Sequence, residues 1–304
     1  MRIGPLGCVC AAAAGVASVV ARAEEPPPII VKPASAWNIN YANDSCRLAR
    51  VFAHGADKLA FVLDKFDAEP SFTITVAGRA LVSGANKKVR VAFGPSGASR
   101  SFDDPNGATF GTVGPSVIVD SMSLIEQQSS DKTGGEAVVG VALALIPVTD
   151  ASPEAARAIT WFEVQRGRHA PVRFELGPMD KPMAALRTCT DELLTHWGID
   201  VAAHKALSRR ATPRNNPASW MTNDDYPSHL LSKGVQGLIY FRLMISEDGS
   251  VSECHIQQST RPAEFDQAAC RVLSGRARFD PALDAGGQPT TSYWRSAVRF
   301  QIVP

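Results

Sequence analysis

The sequence predicts an α+β protein in two parts. A β-rich amino-terminal domain is closed by a helix, and a small carboxy-terminal domain follows, with a three-stranded antiparallel sheet and two helices. Three patterns predict this. Short runs in which apolar and polar residues alternate recur between residues 37 and 176, the period of half-buried strands. One long run, DKPMAALRTCTDELLTHWG, instead spaces its apolar residues three and four apart, the period of a helix. Near the end of the chain LIYFRLMI leads into Asp248-Gly249 and reverses, the composition of a tight hairpin.

At roughly 150 residues per domain, 304 residues make about two domains. The division is placed at 37–200 and 223–304, with a polar linker over 201–222. A hydrophobic content of 45% is enough for real cores. With 31 Lys and Arg against 30 Asp and Glu the net charge is +1, so no long-range field draws in nucleic acid. The amino terminus has the layout of an export signal. Arg2 precedes an apolar run over residues 6–20, and Ala21-Arg22-Ala23 matches a small-x-small cleavage site, so residues 1–23 are expected to be removed. At ~1.5 Å per residue that run spans roughly 23 Å, short of a ~30 Å hydrocarbon core, which favours cleavage over a retained inner-membrane anchor. Residues 24–36, rich in proline, read as an extended, mobile leader.

Between 37 and 200, KLAFVLDKF and SFTITVAG flank a turn at Glu69-Pro70, with Phe72, Ile74 and Val76 on one face. KKVRVAFG places Val89, Val91 and Phe93 together. SVIVDSMSLI and AVVGVALALIPV read as further strands, and AITWFEVQ with PVRFELG as a hairpin turning at 167–170. FDDPNGATF reads as a solvated turn rather than a calcium loop. In the helix, Asp180 is placed at the cap, Pro182 in the first turn and Gly198 at the stop. Its apolar face is Leu186, Cys189, Thr190, Leu193, Leu194 and Trp197. The linker, HKALSRRATPRNNPASW, is polar and helix-poor at its centre, with a coil reach of about 20–25 Å.

Beyond the signal, four cysteines remain: Cys46, Cys189, Cys254 and Cys270. An even number in an exported chain favours disulfides, and four cysteines allow three pairings. Cys189 lies on the inward face of its helix, which favours Cys46 within the same domain. Pairing within domains then leaves Cys254 with Cys270, although helical-wheel arithmetic sets Cys270 roughly 130° from the centre of its helix's buried stripe. Cys254 and His255 are strand neighbours pointing to opposite faces, so they form no chelate, and no metal or cofactor is predicted. The sequence has no Gly-x-Ser-x-Gly, no His-Glu-x-x-His and no phosphate loop, and the protein is read as a non-enzyme.

In the carboxy-terminal part, Pro227 opens a short helix and Gly234 closes it. Ile239, Phe241, Leu243 and Ile245 form one face of the first strand. With Asp248-Gly249 as the loop, Glu247 pairs with Ser250, Leu243 with Cys254 and Phe241 with Ile256, so turn and pattern agree. RPAEFDQAACRVLSGRARF is the second helix, with Phe265, Ala268, Ala269, Val272 and Leu273 buried. TTSYWRSAVRFQIV is the final strand. Trp294, Val298, Phe300 and Ile302 share one face, and Tyr293, Arg295, Arg299 and Gln301 the other.

These residues resemble the TonB C-terminal domain. The shared marks are Tyr226-Pro227, Gly234 and Gly237, Asp248-Gly249, the Phe265-to-Ala269 helix, and Arg278-Phe279-Asp280-Pro281-Ala282. The resemblance implies a domain that grips an outer-membrane TonB-dependent receptor, or another periplasmic protein, by adding the partner's extended segment to its sheet edge. By position it implies partner-binding residues at Asn223, Asp224, Asp225 and Tyr226, and at Tyr293, Arg295, Arg299 and Gln301. It also implies a periplasmic location. An energy-transducing TonB keeps an uncleaved anchor bearing a His and a long spacer, whereas this sequence has no His before His54 and a folded domain in place of the spacer. A soluble periplasmic adaptor is therefore expected, with inner-membrane association only if the leader is uncleaved.

Overall fold

The computed structural model describes residues 26–81, 88–103, 109–110, 113–124, 151–259 and 262–302. The export signal, the AVVGVALALIPV strand and part of the FDDPNGATF turn lie outside them.

The amino-terminal strands are β1 (Ile29–Pro33), β2 (Asn38–Tyr41), β3 (Cys46–His54), β4 (Asp57–Lys65), β5 (Phe72–Ala77), β6 (Lys88–Gly94), β7 (Ser99–Asp103), β8 (Thr109–Phe110) and β9 (Gly114–Met122). After α1 (Pro153–Ala158) come β10 (Trp161–Arg166) and β11 (Val172–Glu175), then α2 (Asp180–His196). All eleven strands join one sheet in the order β7-β6-β10-β11-β1-β3-β4-β5-β9-β8, with β2 also on β3. The sheet folds on itself, because Phe61 of β4 meets Phe162 of β10 at 5.3 Å and Phe72 of β5 meets Phe93 of β6 at 6.0 Å. Phe72, Ile74, Val76, Val89, Val91 and Phe93 are all buried, as their alternation requires.

The two halves are joined by β1. It pairs in parallel with β11 and antiparallel with β3, and Val31 is fully buried. The stretch read as a mobile leader is thus a sheet strand. Its Ile29-Ile30-Val31 run is β-branched, and Pro33 sits at the strand end, where a missing N–H is tolerated. Helix α2 buries Leu186, Cys189 and Leu193 against this core, with Thr190 and Leu194 also buried on the helix, and Cys189 is bonded to Cys46 at the head of β3. Asp180 is the first helical residue rather than the cap; its carboxylate pairs with Arg157 instead. Gly198 takes φ +75° just beyond the C-cap residue, Trp197, which is how the helix stops.

The segment read as a coil linker is ordered and docked. It contains α3 (Val201–Lys205), capped by Asp200 through Ala203 N–H, and β12 (Thr212–Pro213). Trp220, 2% exposed, packs on Phe279 and Trp294 and donates from Nε1 to Asn215 at 2.7 Å. A polar composition concealed this, because one large aromatic side chain is enough to pin such a segment to a neighbouring core.

The carboxy-terminal part comprises α4 (Ser228–Ser232), β13 (Gly237–Ile245), β14 (Val251–Ser259), α5 (Ala263–Arg276), β15 (Phe279–Asp280), β16 (Ala282–Leu283), β17 (Pro289–Thr290) and β18 (Ser292–Phe300). The main sheet is three-stranded and antiparallel in the order β14-β13-β18, while β12 pairs β15 and β16 pairs β17. Ile239, Phe241, Leu243 and Ile245 face Phe265, Ala268, Ala269 and Leu273 of α5 in one core. The central register has Leu243 opposite Cys254 and Phe241 opposite Ile256. The loop is one residue longer than Asp-Gly alone. Ser246 and Ser250 close it by a backbone bond, and a bulge between Met244 and Ile245 restores the register.

Candidate partner-binding strand and the face behind it

Among the described residues β18 pairs only with β13, across all nine of its residues. In an antiparallel ladder alternate residues turn their N–H and C=O away from the neighbour. The far border of β18 therefore carries backbone groups with no strand beside them. At the opposite edge, β14 is attended by the amino-terminal part: Gln257 donates from Nε2 to the Phe66 carbonyl at 3.0 Å and to the Asp44 carbonyl at 3.5 Å.

The structure separates the sequence-derived binding residues into three groups. Tyr293 and Arg295 lie against the amino-terminal part: Tyr293 is 8% exposed, and its hydroxyl accepts from the Ala68 N–H. Arg299 and Gln301 are exposed at the other end of the strand. Asn223, Asp224 and Asp225 form a 3-10 turn on the helix side, where Asp225 holds Arg276 at 2.7 and 3.0 Å and bonds back to Thr222. Tyr226 reaches the end of β18, its ring 5.3 Å from Phe300, and donates its hydroxyl to the Val235 carbonyl at 2.6 Å. Of the turn residues, only Tyr226 has a ring contact with β18 itself.

The outer face of the sheet is an interface within the molecule, which its sequence did not announce. Two carboxylates of the amino-terminal part meet it, and a third meets the segment that precedes it. Asp67 accepts from Arg295 Nη1 at 3.1 Å. Asp44 lies 2.9 Å from His255 Nε2 and 3.5 Å from Arg242 Nη1. Glu69 pairs with Arg210. Arg242 is 5% exposed, and its guanidinium sits 4.0 Å from the centre of the Trp197 ring. Burial pulls its pKa down and Asp44 pulls it back up. Phe66 stacks on Tyr240 with rings 6.0 Å apart, and Arg295 lies over Phe66. A small apolar cluster of Leu194, Ile199, Met244 and Tyr293 completes the seam. The resemblance assigned Tyr293 and Arg295 to a partner; desolvated interfaces within a molecule are rich in the same residues. The missed signal is Arg242, Arg295, Tyr240 and Tyr293 alternating with apolar residues and with no Lys or Glu among them.

His204 of α3 stacks on Tyr293, with ring centroids 5.3 Å apart, and is 7% exposed. Burial, reinforced by Arg210, lowers its pKa to about 4, against the opposing pull of Asp67 and Asp191. The unfolded chain therefore takes up a proton near pH 6.5 that the folded chain refuses until about pH 4. His204 contributes its full stability above pH 6.5 and loses it as pH falls. Between pH 7.5 and 5 the loss is about 2 kcal/mol, at ~1.36 kcal/mol per pKa unit. Glu69 works the other way, since burial raises its pKa and acidification relieves it. Urea unfolding at pH 7.5 and 5 should thus show a smaller loss in a His204→Gln variant than in the parent, and equal losses would refute this role for His204.

Among the described residues no group of three or more His, Cys, Asp and Glu is placed to hold a metal ion, and no helix is long and apolar enough to cross a membrane. Residues 222–302 match the family model described as the Gram-negative bacterial TonB protein C-terminal. A solved structure, the solution NMR structure of the Pseudomonas aeruginosa TonB C-terminal domain, is 22% identical over 30% of this chain and 86% of that one, with a TM-score of 0.24. No curated protein matches the chain.

Proposed function

Since residues 222–302 are a TonB C-terminal domain, we propose that the protein is a periplasmic TonB-like adaptor in transport across the outer membrane. It binds an extended segment of a TonB-dependent receptor by strand addition to β18, and it acts by binding rather than catalysis. The observation that carries this reading is the border of β18, which pairs with β13 alone among the described residues. The opposite edge is the weaker choice, because Asp44, Phe66 and Gln257 crowd it. Four to six backbone hydrogen bonds at ~1 kcal/mol net, less the cost of ordering the segment, correspond to roughly micromolar affinity.

Titration calorimetry with peptides copied from receptor TonB boxes should give a dissociation constant on the order of micromolar. A photo-crosslinker in place of Ala297, exposed on β18, should capture the peptide, and one in place of Gln258, exposed on β14, should not. No binding up to millimolar peptide, or capture from Gln258 alone, would sink the reading.

A further inference from the structure

The outer face of β18 is covered progressively along its length. Tyr293 is buried, Arg295 is half-buried, and Ala297 and Arg299 are exposed. Helix α5 packs on the inner face of the sheet, so burial on the outer face at this end of β18 comes from the amino-terminal part and α3. Tyr293 meets Trp197, His204 and Ala68 from other segments and shares an apolar cluster with Leu194 and Ile199. Trp197 also caps Arg242 of β13, which places it on the inner side of Tyr293. His204 of α3 stacks on the Tyr293 ring and is part of the cover over this end of β18. It is held there by Arg210, 3.4 Å from its Nε2 and itself paired with Glu69.

We infer that the amino-terminal part and α3 form a stop for the incoming strand. Only residues 296–300 of β18 accept it, so the occupant is an extended segment of about five residues, ~17 Å long, whose chain turns away before reaching Arg295. Its chemistry follows from the two faces of the open stretch. Arg299, exposed on the outer face, favours an acidic residue beside it, and the half-buried Val298 on the inner face favours an apolar one. This inference rests on strand addition at β18 and adds where along the strand it occurs and what it selects.

Two measurements on the whole protein test it. The first uses TonB-box peptides lengthened from five to nine residues. Affinity should change less than about twofold across the series, because added residues find no edge to pair with. In His204→Ala, which removes the ring stacked on Tyr293, lengthening should improve affinity several-fold; no improvement there would assign the limit to the peptide and overturn the stop. The second is residue-resolved amide exchange with the five-residue peptide bound. New protection on β18 should be confined to residues 296–300. Protection reaching Tyr293, or a tenfold gain from five to nine residues in the parent, would overturn the stop while leaving strand addition standing. Failure of every peptide to bind would remove strand addition, and the stop with it.

Discussion

Replacing Cys46 and Cys189 together by alanine is expected to lower the stability of the amino-terminal part by about 3–5 kcal/mol. The disulfide links positions 143 residues apart. In the chain-entropy model, opening so long a loop restores more freedom to the unfolded chain than opening the Cys254–Cys270 loop, which spans 16. The difference between the two is about 2 kcal/mol. Both sulfurs of the long bridge are buried, at 0% and 1% exposure for the two residues, so no solvent contact replaces them when they are removed. The bridge also fixes α2, the helix that ends at Trp197, and Trp197 covers both Arg242 and Tyr293. Loosening α2 therefore weakens the seam between the two parts of the molecule as well as the core behind it. Urea unfolding of each double-alanine variant, followed by circular dichroism, checks the ranking. A larger loss for the Cys254/Cys270 variant than for the Cys46/Cys189 variant would contradict it.

The sequence was most legible where apolar period decided the arrangement. The β13–β14 register came out at Leu243–Cys254 and Phe241–Ile256 because apolar alternation demanded it; the loop is a residue longer than the turn chemistry implied, and the bulge between Met244 and Ile245 absorbs the difference. The buried face of α2 came from period alone, since Leu186, Leu193 and Leu194 had no competing arrangement. The wheel placed Cys270 away from its partner because it assumes that a helix presents its stripe squarely to a sheet. Helix α5 lies over β14, the edge strand, so a residue on the flank of its stripe meets Cys254 with Cα atoms 5.4 Å apart. What could not be read was contact between segments far apart in the chain. Asp44 with Arg242, Asp67 with Arg295, and Trp220 with Trp294 join positions that no local period relates. Each side looks like ordinary polar surface until the other is in place. That is why Tyr293 and Arg295, offered by position as partner contacts, turn out to be spent inside the molecule while Arg299 remains exposed.

Substituting Gly249 by alanine is expected to destabilise the carboxy-terminal part by roughly 2–5 kcal/mol, the sum of a left-handed backbone penalty and a forced repacking. Gly249 closes the β13–β14 loop at φ +83°, a conformation that side chains disfavour. Space is the second constraint. A Cβ there would overlap the Phe279 carbonyl oxygen and lie 3.0 Å from the carbonyl carbon. The obstacle is backbone, which cannot swing aside as the tip of a long side chain would. It is also held in place: the Phe279 N–H donates to the Gly249 carbonyl at 2.9 Å, and β15 is paired to β12 on its other side. Phe279 is fully buried against Trp220 and Trp294, so moving it disturbs the inner face of β18 through Trp294. The consequence reaches the proposed binding border. Gly249→Ala should unfold at lower urea and lose amide protection at Phe279 first, and its affinity for receptor peptides should fall once β18 loosens. Asn, which tolerates positive φ better than alanine but still carries a Cβ, separates the two causes. If Gly249→Asn is as stable as the parent, the close approach of Phe279 is not what demands glycine here.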